Sequence, residues 1–189
     1  MNLYYPMYQE RCLLVMDLGK LTASVVTMSD SRASGMKKAD ESGKIIIELL
    51  KSNNYQIVEY RVISDDFDEI KRTLIEICDI EMYNKKINLV LTTGGTGLSP
   101  RDNTPEATKA VIDKEVQGIS EAMRYHSLQI TPRAMLSRGV SGIRSQSLIV
   151  NLPGSPKAVK ENLEYVLPHL KHGIEILNGT VQNCAEETS

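Results

Sequence analysis

The segment Leu91-Thr92-Thr93-Gly94-Gly95-Thr96-Gly97-Leu98-Ser99-Pro100-Arg101-Asp102-Asn103-Thr104-Pro105-Glu106-Ala107 constrains this chain more than any other. An apolar run, Leu89 to Leu91, leads into three glycines within four residues. A helix starts at Thr104, with Pro105 at its first position, where a missing N–H costs nothing. Strand, glycine-rich loop and helix start, in that order, aim backbone N–H groups and the positive end of a helix dipole at an anion. Glycine lets a phosphate approach the backbone because no Cβ intervenes. Arg101 and Asp102 share the loop. A cation and a carboxylate beside a phosphate cradle point to phosphate chemistry with a metal ion. The G-G-x-G spacing is neither a Walker A loop nor G-x-G-x-x-G, and a tight turn that needs φ > 0 is the structural alternative.

Two further segments repeat the arrangement. Thr27-Met28-Ser29-Asp30-Ser31-Arg32 follows the strand-like run Ala23 to Val26, and Asn151-Leu152-Pro153-Gly154-Ser155-Pro156 follows Leu148 to Val150. Three strands thus end in small, polar loops, and in an open α/β sheet ligands bind at the carboxyl ends of the strands. Strand-like runs occur at 22–27, 56–63, 87–93 and 147–152. Between them lie one-sided apolar stripes of helical period, at 40–51 (Ile45, Ile46, Leu49, Leu50) and 66–82 (Ile70, Leu74, Ile77, Cys78). Such alternation implies parallel pairing with right-handed crossovers. Shorter helices are expected at 106–112 and 119–127, with a short piece opening at Pro132. A hairpin at 140–152 should turn near 143–145. The last helix should run over 156–177, kinked or split at Pro168.

At 189 residues and 41% hydrophobic, the chain can bury a sizeable core as one domain. Its net charge of −2 and its lack of a basic stripe argue against a nucleic-acid partner. With one Phe and no Trp, base-stacking platforms are not expected either. Three widely spaced cysteines, Cys12, Cys78 and Cys184, and three histidines offer no transition-metal spacing. Cys78 reads as a core thiol. No apolar run is long enough for a membrane span, and a reducing cytoplasm is the expected compartment. The organisation expected is an N-terminal extension over 1–21, a ligand-binding domain over 22–178 and a polar tail over 179–189. The apolar run Cys12 to Met16 would add an edge strand or cover a subunit surface.

Taken together, S-D-S-R, then T-T-G-G-T-G-x-x-x-R-D-x-T-P-E-A, then L-S-R, then N-L-P-G-S-P resemble the MogA/MoaB family of molybdenum-cofactor biosynthesis proteins, over roughly residues 22 to 178. The resemblance implies an α/β, three-layer molybdopterin-binding fold with a mostly parallel central sheet and helices on both faces. It implies Mg-ATP-dependent adenylylation of molybdopterin, with Mg2+ as cofactor and ATP and molybdopterin as substrates. The alternative within the family is a non-catalytic molybdopterin carrier. It also implies a homo-oligomer, trimer or hexamer, and a later partner that inserts molybdate or tungstate.

The family's essential acidic positions fall on Asp65, with Asp66 the adjacent alternative, and on Asp102, and these are implied as catalytic and metal-holding. From residues alone each has a bland reading, Asp65 in a turn-and-cap sequence and Asp102 flanking a helix. Asp30, with Ser29, either positions ligand or caps its own turn. The backbone of Gly94, Gly95, Thr96 and Gly97, with Thr93 and Ser99 beside it, is the expected phosphate cradle. Arg101 either contacts phosphate or pairs with a neighbouring acid. By carry-over, Ser127, Ser137, Arg138 and Asn151 belong to a pterin-phosphate pocket. Gly154 and Ser155 either offer a further helix N-terminus or form a plain serine cap.

Overall fold

The computed structural model describes residues 19–35, 39–79 and 86–179. The expectations for the N-terminal extension up to residue 18, for Cys12, for the helix end at 80–82, and for Cys184 and the tail beyond 179 lie outside the described residues.

Strands β1 (Thr22–Met28), β2 (Gln56–Ile63), β3 (Leu89–Thr93), β4 (Lys114–Glu115), β5 (Ser141–Arg144) and β6 (Ser147–Leu152) form one sheet in the order β2-β1-β3-β6-β5-β4. The pairs β1–β2, β1–β3 and β3–β6 are parallel, while β5 pairs antiparallel with β6 and with β4. Helices α1 (Asp30–Ala33), α2 (Glu41–Ser52), α3 (Phe67–Asp79), α4 (Thr104–Lys109), α5 (Gln117–Leu128) and α6 (Pro156–Leu177) accompany it, with a 3-10 turn at Pro132–Leu136.

The central strands are apolar almost throughout because both of their faces are covered. Alternate residues serve alternate layers. Ala23, Val25, Leu89, Leu91, Leu148 and Val150 pack with Ile46, Leu50, Leu163, Leu167 and Ile174 of α2 and α6. Val26, Val90 and Ile149 face the other side, against Ile70, Leu74, Ile77 and Cys78 of α3 and Ala107 of α4. The parallel pairing is the one the alternating runs imply, and the three-layer architecture is the one the family resemblance implies. Asp40 caps α2 by accepting from Gly43 N at 3.1 Å.

Two expectations are corrected. Pro168 does not split the last helix, which is one element over Pro156–Leu177. Pro168 lies on the exposed side, so the carbonyl one turn back that it cannot serve faces water. The buried stripe of Val159, Leu163, Val166, Leu167, Leu170 and Ile174 holds the helix on the sheet regardless. The hairpin turns one residue later than expected, at Ser145 and Gln146, with Ser145 at φ +55°. β4 is an addition that two polar residues, Lys114 and Glu115, did not announce. Among the described residues no helix is long and apolar enough to cross a membrane.

The chain runs from β1 out to β2, then crosses back over β1 to β3. The sheet order reverses between β1 and β3, and the loops following β1, β2 and β3 gather there, where α/β sheets open a crevice for ligands.

Burial pushes the Cys78 thiol up to about 11, so little reactive thiolate exists near neutrality. In the folded protein Cys78 should resist iodoacetamide at pH 8 and become modified once denaturant opens the core. Peptide mapping by mass spectrometry reads the difference; rapid modification of Cys78 in the native state would contradict this packing.

Candidate active site

The glycine loop crosses the end of β1 at a distance only glycine allows. Gly94 has φ +96°, and a Cβ there would stand 2.4 Å from the Met28 carbonyl oxygen. Gly95 follows at φ +62°, where a Cβ would meet Thr104 Oγ1 at 2.4 Å and Asp65 Oδ1 at 3.2 Å. The loop is then tied to the start of α4: Thr104 Oγ1 donates to Gly94 O at 2.9 Å and Thr104 N to Gly95 O at 3.1 Å. Arg138 N donates to Thr96 O at 3.0 Å and Arg138 Nε to Gly97 O at 2.6 Å. All four carbonyls of 94–97 are thus engaged by the protein. The N–H groups of Gly95, Thr96 and Gly97 make no such bond to another described residue, the polarity an anion cradle needs.

On one side of the loop lie the carboxylates. Asp30, the first residue of α1, and Asp65, after β2, cap each other: Asp30 N donates to Asp65 Oδ2 and Asp65 N to Asp30 Oδ1, both at 3.0 Å. Arg101 closes the group with Nε and Nη2 on Asp30 Oδ2, at 3.1 and 2.8 Å. Of its two readings, the structure shows Arg101 paired with an acid. The Asp65 N–H and Arg101 hold the Asp30 carboxyl below its usual range. Asp65 is raised, first by burial and then by the charges of Asp30 and Asp102. Asp102 turns its Oδ2 back to the Ser99 N–H at 3.0 Å, and Asp102 N donates to Ser99 O at 2.9 Å. Ser29 stands at the N-cap of α1, with its hydroxyl 3.2 Å from that of Ser31.

On the other side opens a cavity of about 440 Å³. Gly95, Thr96, Gly97 and Asp102 form its edge toward the acids. Ser127, Ser137, Asn151, Gly154 and Ser155 line the remainder, as do Arg124, Thr131 and Arg133. Several of these side chains have structural bonds. Asn151 donates through Nδ2 to Thr92 Oγ1 at 2.9 Å and Thr108 Oγ1 at 3.0 Å, and its Oδ1 accepts from Val140 N at 3.2 Å. Ser155 caps α6 by accepting from Ala158 N at 3.3 Å, the plain-cap reading of that residue. Gly154 accepts from Ser42 Oγ at 2.9 Å, and Thr93 Oγ1 donates to Pro153 O at 2.7 Å. Ser127 donates to Asn162 Oδ1 at 3.0 Å.

Arg138 is placed differently from its expected pocket role. Its guanidinium reaches Gly97 O, Glu106 and Asp102 O, all behind the loop, and it does not line the cavity. Arg124 and Arg133 are the cavity's cations, and motif reading missed both. The signal for Arg124 was present: Ser120, Arg124 and Ser127 recur at helical spacing along α5. Arg133 carried none; it stands exposed on the 3-10 turn among the residues that line the cavity.

Comparison with known proteins agrees with this geometry. A family model described as "Probable molybdopterin binding domain" matches residues 24–172. The chain belongs to this family of molybdopterin-binding, molybdenum-cofactor biosynthesis proteins. A protein of Helicobacter pylori strain J99 named molybdopterin adenylyltransferase is 41% identical over 165 residues, covering 86% of this chain and 91% of its own length. Gephyrin of Dictyostelium discoideum is 40% identical over 174 residues; the match covers 87% of this chain but only 23% of gephyrin. The crystal structure of the molybdopterin biosynthesis enzyme MoaB from Thermus thermophilus superposes with a TM-score of 0.77 at 42% identity, covering 84% of this chain and 97% of that one. The fold is that of the MogA/MoaB proteins.

Gly94→Ala tests the loop crossing. The added Cβ meets a backbone carbonyl that cannot rotate away, at a φ that L-residues rarely adopt. The variant should lose at least about 2 kcal/mol of stability in denaturant unfolding. Gly154→Ala, whose Cβ would stand 3.4 Å from Gly94 Cα and whose φ is not in that region, should be much milder.

Proposed function

We propose that this protein catalyses the adenylylation of molybdopterin by Mg-ATP. The observation that carries the reading is the meeting of three elements at one sheet edge. These are a glycine loop whose carbonyls all face inward, two carboxylates flanking it, and a cavity of about 440 Å³ opening beyond it. Relatives named for this transferase, at 41% identity across most of both chains, support the same reading.

The residues suit a magnesium ion shared with phosphate. Mg2+ takes one or two carboxylates and completes its shell with phosphate oxygens and water. Among the described residues no group of three or more His, Cys, Asp or Glu is arranged to hold a metal alone. Asp65 Oδ1 and Asp102 Oδ2 nevertheless both crowd the space left by the missing side chains of Gly95 and Gly97, at 3.2 and 2.9 Å from those Cβ positions. Asp65 and Asp102 would hold the ion, which would neutralise charge on the triphosphate.

The protein's own part is positioning and charge placement. The N–H groups of Gly95 to Gly97 would orient phosphate oxygens. Ser137 and the cations Arg124 and Arg133 would receive the pterin end. A phosphate oxygen of molybdopterin then attacks the α-phosphorus of ATP. The bond from that phosphorus to the α–β bridging oxygen breaks, and pyrophosphate leaves.

The pure protein, incubated with molybdopterin, Mg2+ and ATP, should yield adenylylated pterin and pyrophosphate, detected by chromatography and mass spectrometry. Asp102→Asn keeps the side chain's size and removes its charge; it should leave circular dichroism unchanged and reduce turnover at least about 100-fold. Wild-type protein that binds molybdopterin tightly but forms no adenylylated product would identify a carrier instead.

The protein should also assemble. Tyr125, Leu128, Ile130, Met135 and Leu136 are exposed apolar side chains on α5, on the 3-10 turn that packs beside it and on the link between the two. Light scattering at micromolar concentration should report a trimer or a hexamer of two trimers, closed by symmetry; a monomer would refute the assignment.

A further inference from the structure

Resting on that reading of the site, we propose that Arg138 is a positioning residue for adenylyl transfer. It fixes Asp102 and the glycine loop from behind and does not contact the ligand.

The chain direction shows this first. Ser137 and Gly139 both line the cavity, and Arg138 between them does not. Ser137 has extended backbone (ψ 124°), and successive side chains on extended backbone point to opposite sides. The guanidinium therefore leaves the cavity wall and runs behind the loop. There it meets three acceptors in three directions: Gly97 O through Nε at 2.6 Å, Glu106 through Nη1, and Asp102 O through Nη2. The backbone N–H of the same residue holds Thr96 O at 3.0 Å.

Among the described residues, these four contacts join pieces that no other hydrogen bond joins directly. Thr96 and Gly97 are the loop's far limb, Asp102 is its exit, and Glu106 belongs to the first turn of α4. Thr104, at the start of that helix, ties back to Gly94 and Gly95. Arg138 thereby sets where the Asp102 backbone sits, and the Ser99 N–H sets where its carboxylate turns. Only a rigid planar fork reaches three diverging acceptors at once; a lysine ammonium at the end of a flexible stem cannot. Glu106 neutralises the fork from the side away from the loop, and its side chain is half exposed, outside the cavity lining.

The test uses Arg138→Lys, Arg138→Ala and Glu106→Gln, with Ile174→Val in the far part of α6 as a destabilised core control. Amide hydrogen exchange is measured first, in protein without ligand. The amides of Ser99, Asp102 and Thr104 should exchange faster in both Arg138 variants, and no faster than wild type in the control. Molybdopterin affinity by calorimetry should change less than about threefold. The kcat should fall by about 10- to 100-fold with KM for molybdopterin nearly unchanged. Arg138→Lys should be nearly as impaired as Arg138→Ala, and Glu106→Gln should fall in the same direction by less. A ligand role predicts the opposite: lysine rescues, and truncation raises KM and weakens binding more than tenfold with kcat held. That pattern, or unchanged loop exchange, overturns the inference. If wild-type protein forms no adenylylated pterin, the transferase reading fails by itself. Exchange and binding then still decide whether Arg138 holds the loop or the ligand.

Discussion

The close crossing of the glycine loop over the end of β1 is the constraint on which the rest of the site depends. Gly94 sits against the Met28 carbonyl at a separation that would place any Cβ 2.4 Å from that oxygen. The crossing turns the chain from β3 across the neighbouring strand toward Asp30 and Asp65. Without it, the acids that follow β1 and β2 would face an empty sheet edge. With it, Asp65 Oδ1 lies near enough to Gly95 that a side chain there would crowd it. Burial under the loop, and then the neighbouring Asp30 and Asp102 charges, raise the Asp65 carboxyl.

A second layer of polar bonds keeps this arrangement from relaxing. Asp30 and Asp65 satisfy each other's backbone N–H, so the two loops move together or not at all. Asn151 joins β3, β6 and α4 through Thr92, Val140 and Thr108 while almost completely buried. Buried amides of this kind must be satisfied, and a satisfied network in low dielectric permits few alternatives. The polar residues at the sheet edge therefore divide into those that fix the cavity's walls and those that remain to meet a ligand. Thr93, Asn151, Ser155 and Arg138 have wall-fixing bonds. Arg124 also fixes the wall, donating through Nη1 to Gly139 O at 2.9 Å, whereas the N–H groups of Gly95 to Gly97 bond no other described residue.

Much of the fold was legible because its physics is local. Apolar runs and stripes at helical spacing placed four strands and the principal helices within a few residues. The misses have physical reasons. Pro168 reads as a break only if the helix is considered alone; a long buried stripe and a water-facing gap keep it whole. β4 consists of two exposed residues, Lys114 and Glu115, which become a strand only because β5 offers its edge. In the site, the loop motif named Asp102, Arg101 and the glycines, and the family resemblance named Asp65, but neither named their pairings. Arg101 was open between phosphate and acid until the fold brought Asp30 within 2.8 Å.

The sequence by itself determined the order of the principal elements, the glycine loop and the family, since spacing and residue type survive without coordinates. It also allowed a positive-φ turn after β3, because glycine enters that region without a Cβ clash. Only the tertiary structure decided which polar residues line the cavity. Ser137, Arg138 and Gly139 are consecutive, yet extended backbone sends the middle one behind the loop and leaves its neighbours on the cavity wall. Arg133 enters the site from a 3-10 turn that its own residues do not single out. Hydrogen-bond partners more than thirty residues apart, such as Arg138 with Gly97 and Asp102, are set by how the layers pack. No local pattern encodes them.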